Sequence, residues 1–234
     1  MLILAFETTA KAGSVALMQD GKLLAESYQN TGLTHSQTIL SMAQQMLESC
    51  GLTAGDVQAV AVAAGPGSFT GVRIGVAAAK GFAWGAELPC YGVSTLESMA
   101  LNLGIHDGYV AAVMDARRAQ VYNAVFKAEA GKLTRLCQDR AISVEDLGAE
   151  LKNCEKPVFL VGDGSLLCYN TLKEQLPGLV CPAEHKMHQR AGGVAMAAME
   201  QIQRGDPGDA AALKPNYLRL SQAERERLEK ENKE

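Results

Sequence analysis

No Cys-x-x-Cys spacing occurs among the 6 cysteines, Cys50, Cys90, Cys137, Cys154, Cys168 and Cys181. Neither a zinc ribbon nor a thioredoxin-like redox site is therefore written in the chain. Reduced, mostly buried thiols are the expectation. No apolar stretch approaches the roughly 18 residues needed to cross a bilayer. The longest candidates, around Val60 and Val76, are broken by Gly65, Pro66, Arg73 and Lys80. A basic surplus is missing too: 22 Lys and Arg face 26 Asp and Glu, for a net charge of −4. Proteins that grip nucleic acid unaided show the opposite balance, so binding of that kind by this chain alone is expected to be weak. The opening Met-Leu-Ile-Leu-Ala-Phe-Glu carries no basic leader and no cleavage signal, which predicts a cytoplasmic protein. Apolar material is plentiful: 47% of residues are hydrophobic and 21% charged, enough for a folded core and against a mainly disordered chain. With 234 residues, one large domain or two small ones are expected.

Leu2–Phe6 reads as a buried strand, Ser14–Met18 as a second, and Asp20-Gly21 as the hairpin turn leading to a third over Lys22–Tyr28. A helix follows, with Thr34 or Ser36 to cap its start and Gly51 just past its end. His35 is placed to assist that start. At 100° per residue, Ile39, Leu40, Met42, Ala43, Met46, Leu47 and Cys50 fill an arc of about 160°, wider than the roughly 100° one core contact needs. Either the helix is well buried within one subunit or a second partner covers part of the arc. Val57–Ala63 is a continuous strand-like run, followed by a glycine loop and a helix to about Gly85. Along that helix Gly71, Gly75, Ala79 and Ala83 recur every fourth residue, with a second small series at Ala77, Gly81 and Gly85. Glycine inside a helix costs about 1 kcal/mol relative to alanine, so close backbone approach is expected to compensate. Pro89–Val93 is the next strand and Thr95–Leu103 a helix.

After Gly104 the pattern restarts. Val110–Met114 is a strand ending in Asp115, as the first ends in Glu7. Gln120–Lys127 and Leu133–Ala141 read as two more strands, Ser143 with Asp146 as a capping box, Pro157–Val161 as a strand and Ser165–Leu176 as a helix. The order β-β-β-α-β-α thus occurs twice, which predicts duplicated lobes of the actin-like ATPase fold. The expected division is residues 1–104 plus 187–220 for one lobe, 105–186 for the other, and 221–234 as a charged tail. The helix over His188–Gln203 closes back onto the first half.

The loop at 65–75 fails every common phosphate or nucleophile signature. Gly71 is followed by Val72 and Arg73 rather than Lys and Ser or Thr, so it is no P-loop. Neither Gly-x-Gly-x-x-Gly nor Gly-x-Ser-x-Gly is present. What remains is a strand, a Gly-Pro-Gly turn and a helix N-terminus, a geometry that suits anions or simply turns the chain. His185 and His188 form the one close histidine pair, but no third ligand lies nearby. His106 falls in the Gly104–Gly108 turn, where exposure is expected.

Taken whole, Gly65-Pro-Gly-Ser-Phe-Thr-Gly-Val-Arg-Ile-Gly75, Gly85-Ala-Glu-Leu-Pro89 and Gly92-Val-Ser-Thr-Leu96 resemble the bacterial TsaB (YeaZ) family. Leu4-Ala-Phe-Glu-Thr-Thr9 with Ser14-Val-Ala-Leu17, Asp115-Ala-Arg117 with Val121-Tyr122, and Pro215-Asn-Tyr-Leu-Arg219 are similar to its other motifs, so the likeness spans nearly the whole chain. It implies a non-catalytic subunit. Its partners would be a TsaD-like paralogue that transfers threonylcarbamoyl to an adenosine beside the tRNA anticodon, and a TsaE-like ATPase. A homodimer would form when the chain is alone, tRNA would be met only through the complex, and no membrane would be involved. No tightly bound cofactor is implied, with ATP or ADP entering the assembled complex. TsaD-like chains bind a metal through His-x-x-x-His; the matching positions here are Thr95 and Met99, so the resemblance implies neither a metal site nor the metallopeptidase activity that older family naming suggests. Glu7 departs from the family's usual Asp.

Two candidate sites follow. Glu7, Thr8, Gly65, Gly67 and Asp115 are candidates for a nucleotide cleft, because acids ending the first strand of each lobe position Mg²⁺ or water in actin-like enzymes. They sustain the rival reading, a small-molecule kinase or ATPase of this fold. The second candidate is a partner face on the two helices of the first lobe. If Leu40 and Leu47 face the core, Ile39, Met42, Ala43 and Met46 are left over, and Met suits an adaptable interface. Arg73, Ala77, Lys80 and Trp84 line one side of the neighbouring helix and supply anchors.

Overall fold

The computed structural model describes residues 1–104 and 107–219. The expected tail at 221–234 and His106 lie outside the described residues. Two sheets are built on one plan. The first contains β1 (Leu2–Glu7), β2 (Gly13–Gln19), β3 (Lys22–Gln29), β4 (Ala59–Ala63) and β5 (Cys90–Val93), in the order β3-β2-β1-β4-β5. The second contains β6 (Gly108–Asp115), β7 (Gln120–Glu129), β8 (Lys132–Arg135), β9 (Arg140–Ser143), β10 (Val158–Val161) and β11 (Leu179–Val180), in the order β8-β7-β6-β10-β11. In each, the opening strand is antiparallel to its hairpin partner and parallel to the strand that returns through a helix.

The helices are α1 (His35–Ser49), α2 (Phe69–Gly85), α3 (Thr95–Leu103), α4 (Val144–Leu151), α5 (Ser165–Leu172), α6 (Glu184–Met187) and α7 (Ala191–Gln203). They form three layers around the sheets. Leu2, Leu4 and Phe6 point from β1 into a core with α1 and α2, whereas Ile3 and Ala5 point the other way onto α7. In β6, Ala111 and Val113 face α4 and α5, whereas Val110, Ala112 and Met114 face α3. Central strands covered on both faces must be apolar throughout, which is why these runs carry no polar alternation. Helices α3 and α7 pack together between the sheets. Gly193 permits this, since a Cβ there would overlap the Ser98 carbonyl oxygen. Each large side chain buried in these cores contributes about 1.5–3 kcal/mol.

The second lobe corrects one expected strand. Leu133–Ala141 is divided into β8 and β9, both paired with β7. The break belongs to a polar knot joining the lobes. Arg135 bonds Asp139 at 2.6 Å and Glu97 of α3 at 3.2 Å, and Ser94 donates to Asp139 at 2.6 Å. The cysteines are all unpaired, but only Cys90 and Cys168 are buried, fewer than expected. Burial pushes their thiols up to about 11 and about 12.

Candidate functional site

The glycine loop works at the junction of β1, β4 and α2. The Ser68 hydroxyl caps α2 by accepting from the Gly71 N–H, and the Ser68 N–H donates to the Thr9 carbonyl at 2.7 Å. Thr8 donates its hydroxyl to the Gly71 carbonyl at 2.7 Å. A Cβ at Gly71 would overlap the Thr8 carbonyl oxygen, and one at Gly75 the Thr8 hydroxyl. At Gly67 it would lie 2.5 Å from the Thr9 carbonyl oxygen. Gly65, at φ +119°, faces the Asn216 carbonyl. The glycines therefore admit the chain's own backbone. His35, the first residue of α1, joins the same junction through Nε2 and the Ala10 carbonyl, 2.8 Å apart. Thr34 holds the cap position of α1 without a side-chain cap bond.

A cleft of about 500 Å³ opens beside this junction, between the loop after β1 and the loop after β6. Of the five nucleotide candidates, only Gly67 and Asp115 line it. Thr8 and Gly65 are buried, and Glu7 is buried beneath Thr9. The longer Glu7 side chain curls back so that one oxygen accepts from both the N–H and the hydroxyl of Thr9, each at 2.6 Å. Its other oxygen, Oε2, has no partner among the described residues. Burial pushes the Glu7 carboxyl up to about 7; the nearby Asp163 charge adds to the rise, and the Thr9 bonds oppose it. Asp163 is raised by burial as well. A phosphate cradle needs free backbone N–H groups; here those of Ser68 and Gly71 are engaged by the Thr9 carbonyl and the Ser68 hydroxyl and are not available to a phosphate.

Sequence reasoning missed what walls the cleft. Residues 207–219 run back across the first lobe. Lys80 donates to the carbonyls of Ala211 and Leu213, Asn216 N–H donates to Ala64, and Arg219 donates to the Ala116 carbonyl at 2.7 Å. Tyr217 stacks on Phe69 with ring centroids 4.5 Å apart, and its hydroxyl accepts from Arg73 Nε at 2.9 Å. The Pro215–Arg219 motif was the one available signal, and it has no periodicity to announce a position.

The partner-face candidates separate. Ile39, Met42, Ala43 and Met46 are buried in the chain's own core, whereas Leu40 is 52% exposed. This corrects the expected orientation of α1. The helix rests on β2 and β3 and against α2 at once, so most of its wide arc is consumed within the subunit, and Leu40 at one edge and Cys50 at the helix end stay exposed. On α2 the expectation of a shared side is met geometrically. Arg73, Ala77 and Trp84 face solvent, Trp84 at 65%, and Lys80 is half-buried. Arg73 and Lys80, however, are engaged by residues 211–217. Gly71, Gly75, Ala79 and Ala83 face the sheet. Gly81 and Gly85 face outward, and among the described residues nothing lies within 4 Å of where a Cβ would stand. His185 lies exposed on α6, and His188 falls outside that helix, its ring 6.5 Å from Tyr28.

The family model described as "TsaD: tRNA N6-adenosine threonylcarbamoyltransferase" matches residues 29–226. The tRNA threonylcarbamoyladenosine biosynthesis protein TsaB of Bacillus subtilis (strain 168) is 32% identical over 232 residues, spanning 98% of this chain and 99% of that relative. Among solved structures, YeaZ from Pseudomonas aeruginosa superposes with a TM-score of 0.75 at 26% identity, covering 93% of this chain and 99% of that one. The (R)-2-hydroxyglutaryl-CoA dehydratase component A of Acidaminococcus fermentans shares the fold alone, with a TM-score of 0.51 at 12% identity over 86% of this chain and 99% of that one. The duplicated sheets are those of the actin-like ATPase fold. From motifs at both hairpins, the glycine loop and the C-terminal segment, and from likeness over the full length, this chain belongs to the TsaB (YeaZ) family of tRNA threonylcarbamoyladenosine biosynthesis proteins.

Proposed function

We propose that this chain is a non-catalytic subunit that binds and supports a TsaD-like paralogue in forming N6-threonylcarbamoyladenosine in tRNA, together with a TsaE-like ATPase and in the cytoplasm. The observation that carries this reading is the state of α3. Thr95 and Met99, at the places of the paralogue's histidine pair, are fully buried, Met99 in the apolar core between α3 and the second sheet. Neither is the imidazole or carboxylate such a centre would need. The kinase alternative finds no support in the glycine loop, whose glycines are filled by Thr8, Thr9 and Asn216. A nucleotide in the assembled complex is then held by another chain or at the junction between chains.

The docking face consists of Leu40 on α1 and Ala77, Gly81 and Trp84 on α2, with Arg73 and Lys80 at its margin. Two outward glycines in one helix are a local loss of about 1 kcal/mol each relative to alanine. A partner backbone packed closely against them offsets that loss. The same face serves a second copy of this chain when the paralogue is absent. The test is co-purification with the TsaD-like paralogue, and threonylcarbamoyl transfer measured with each chain alone and both together. Gly81→Leu and Leu40→Asp should each weaken the complex at least tenfold while leaving the chain folded. Transfer by this chain alone, or full binding by both variants, would overturn the reading.

A further inference from the structure

We propose that the mouth of the interlobe cleft is a contact surface for single-stranded RNA, with phosphates on Lys11 and Arg117 and a base against Tyr217. Lys11, Arg117 and Arg219 line the cleft, and Arg118 adjoins it in the chain. The side chains of Lys11, Arg117 and Arg118 are exposed and make no hydrogen bond or ion pair among the described residues. That differs from Arg135, Arg140 and Arg190, each paired with a carboxylate. Among the described residues, two acids face the mouth. Asp115 is exposed and accepts from the Arg117 N–H at 2.7 Å, and Asp163 is largely buried and held toward its neutral form by that burial. Cations that form no ion pair among the described residues thus converge here, in a chain whose net charge is −4.

The backbone fixes this arrangement at some expense. Arg117, Arg118 and Ala119 have φ of 63°, 57° and 55°. Three successive left-handed residues that are not glycine are each strained, because Cβ crowds the carbonyl oxygen there. The turn is held by the Gln120 N–H to the Arg117 carbonyl and the Val144 N–H to the Ala119 carbonyl. Strain kept at a loop that presents two unpaired arginines points to use of those side chains. Across the mouth, Tyr217 stacks on Phe69, is fastened by Arg73 and remains 38% exposed. Cations along a groove, with an aromatic ring fixed beside them, are the combination that holds a single strand: phosphates meet the charges and a base meets the ring.

The inference deepens the tRNA reading above, but its test uses the full chain alone, so failure of partner docking and failure of RNA contact are read separately. A labelled RNA hairpin with an open loop is titrated by anisotropy between 50 and ~200 mM salt, a range over which phosphate contacts separate clearly. Binding in the micromolar range is expected. Lys11→Ala/Arg117→Ala should weaken it at least threefold and flatten the log–log salt slope by about 1.4, for two contacts at roughly 0.7 each. Tyr217→Ala should weaken binding with the slope unchanged, and Tyr217→Phe should retain it. The charge-matched control Lys132→Ala/Lys152→Ala, at the start of β8 and just past the end of α4, should leave both quantities alone. Four outcomes would overturn the proposal: no binding by the wild type, equal loss in the control, an unchanged slope in the Lys11/Arg117 variant, or displacement of the RNA by millimolar ADP.

Discussion

One substitution made twice in the same helix should shift stability in opposite directions. At Gly81 an added methyl meets none of the described residues within 4 Å, so Gly81→Ala gains the intrinsic helix preference of about 1 kcal/mol. For a chain of this size that raises the melting temperature by roughly 2–4 °C. At Gly71 the same preference is gained, but the methyl overlaps the Thr8 carbonyl oxygen. Moving α2 away from the β1–β2 loop costs about 1–3 kcal/mol, as overpacked cores do. It also strains the buried Thr8–Gly71 bond, worth another 1–3 kcal/mol or so if its groups are left unpaired. The net for Gly71→Ala is a loss of roughly 1–5 kcal/mol once the helix gain is subtracted. Urea unfolding followed by circular dichroism measures both midpoints. A Gly71→Ala protein as stable as wild type, or a Gly81→Ala protein less stable, would refute the assignment of the inner and outer faces of α2. The stabilised Gly81→Ala chain should also bind the TsaD-like paralogue more weakly, which separates the demands of folding from those of docking.

Two further outcomes follow from burial. Met42→Asp with Met46→Asp should abolish cooperative unfolding, because both side chains sit in the core with Leu4 and Phe6; near-UV circular dichroism checks it, and a folded, soluble double variant would show that α1 turns the other way. Glu7→Gln should flatten the pH dependence of stability. With its folded pKa raised to about 7 from 4.5, Glu7 makes its stabilising contribution in full below pH 4.5 and loses it as pH climbs through 7. The difference is on the order of 3 kcal/mol, and the glutamine keeps the oxygen that accepts from Thr9. Urea midpoints at pH 5 and pH 8 that change equally in wild type and variant would contradict this.

The strands of the first lobe were legible because apolar runs bounded by Asp20-Gly21 and by the glycine loop need no distant information. Asp20 and Gly21 do adopt the left-handed turn, at φ 48° and 82°. The duplication was legible as order alone, and the two sheets repeat it. The outward side of α1 was not legible. Helical periodicity defines an arc, but Met42 and Leu40 sit at its opposite ends, and which end stays bare depends on α2 and β3 lying where they do. The sequence places Glu7 among the cleft acids because its position in the strand says nothing of the bonds it makes two residues on. The route of residues 207–219 was invisible for a related reason. Its anchors are Lys80, Ala64 and Ala116, remote in sequence, and its own residues form no helix or strand.

The placement of α7 sets a timetable for synthesis. The second sheet receives its inner cover from α3, which precedes it in the chain, so that lobe can close as soon as β11 emerges. The first sheet is made earliest yet finished last: Ile3, Ala5, Ala16 and Met18 wait for Val194, Ala195 and Ala198. At about 5–20 residues per second, a ribosome leaves this apolar surface bare for many seconds. A nascent chain stalled before residue 191 should therefore carry one closed lobe and one open sheet, the form in which chaperones would meet it.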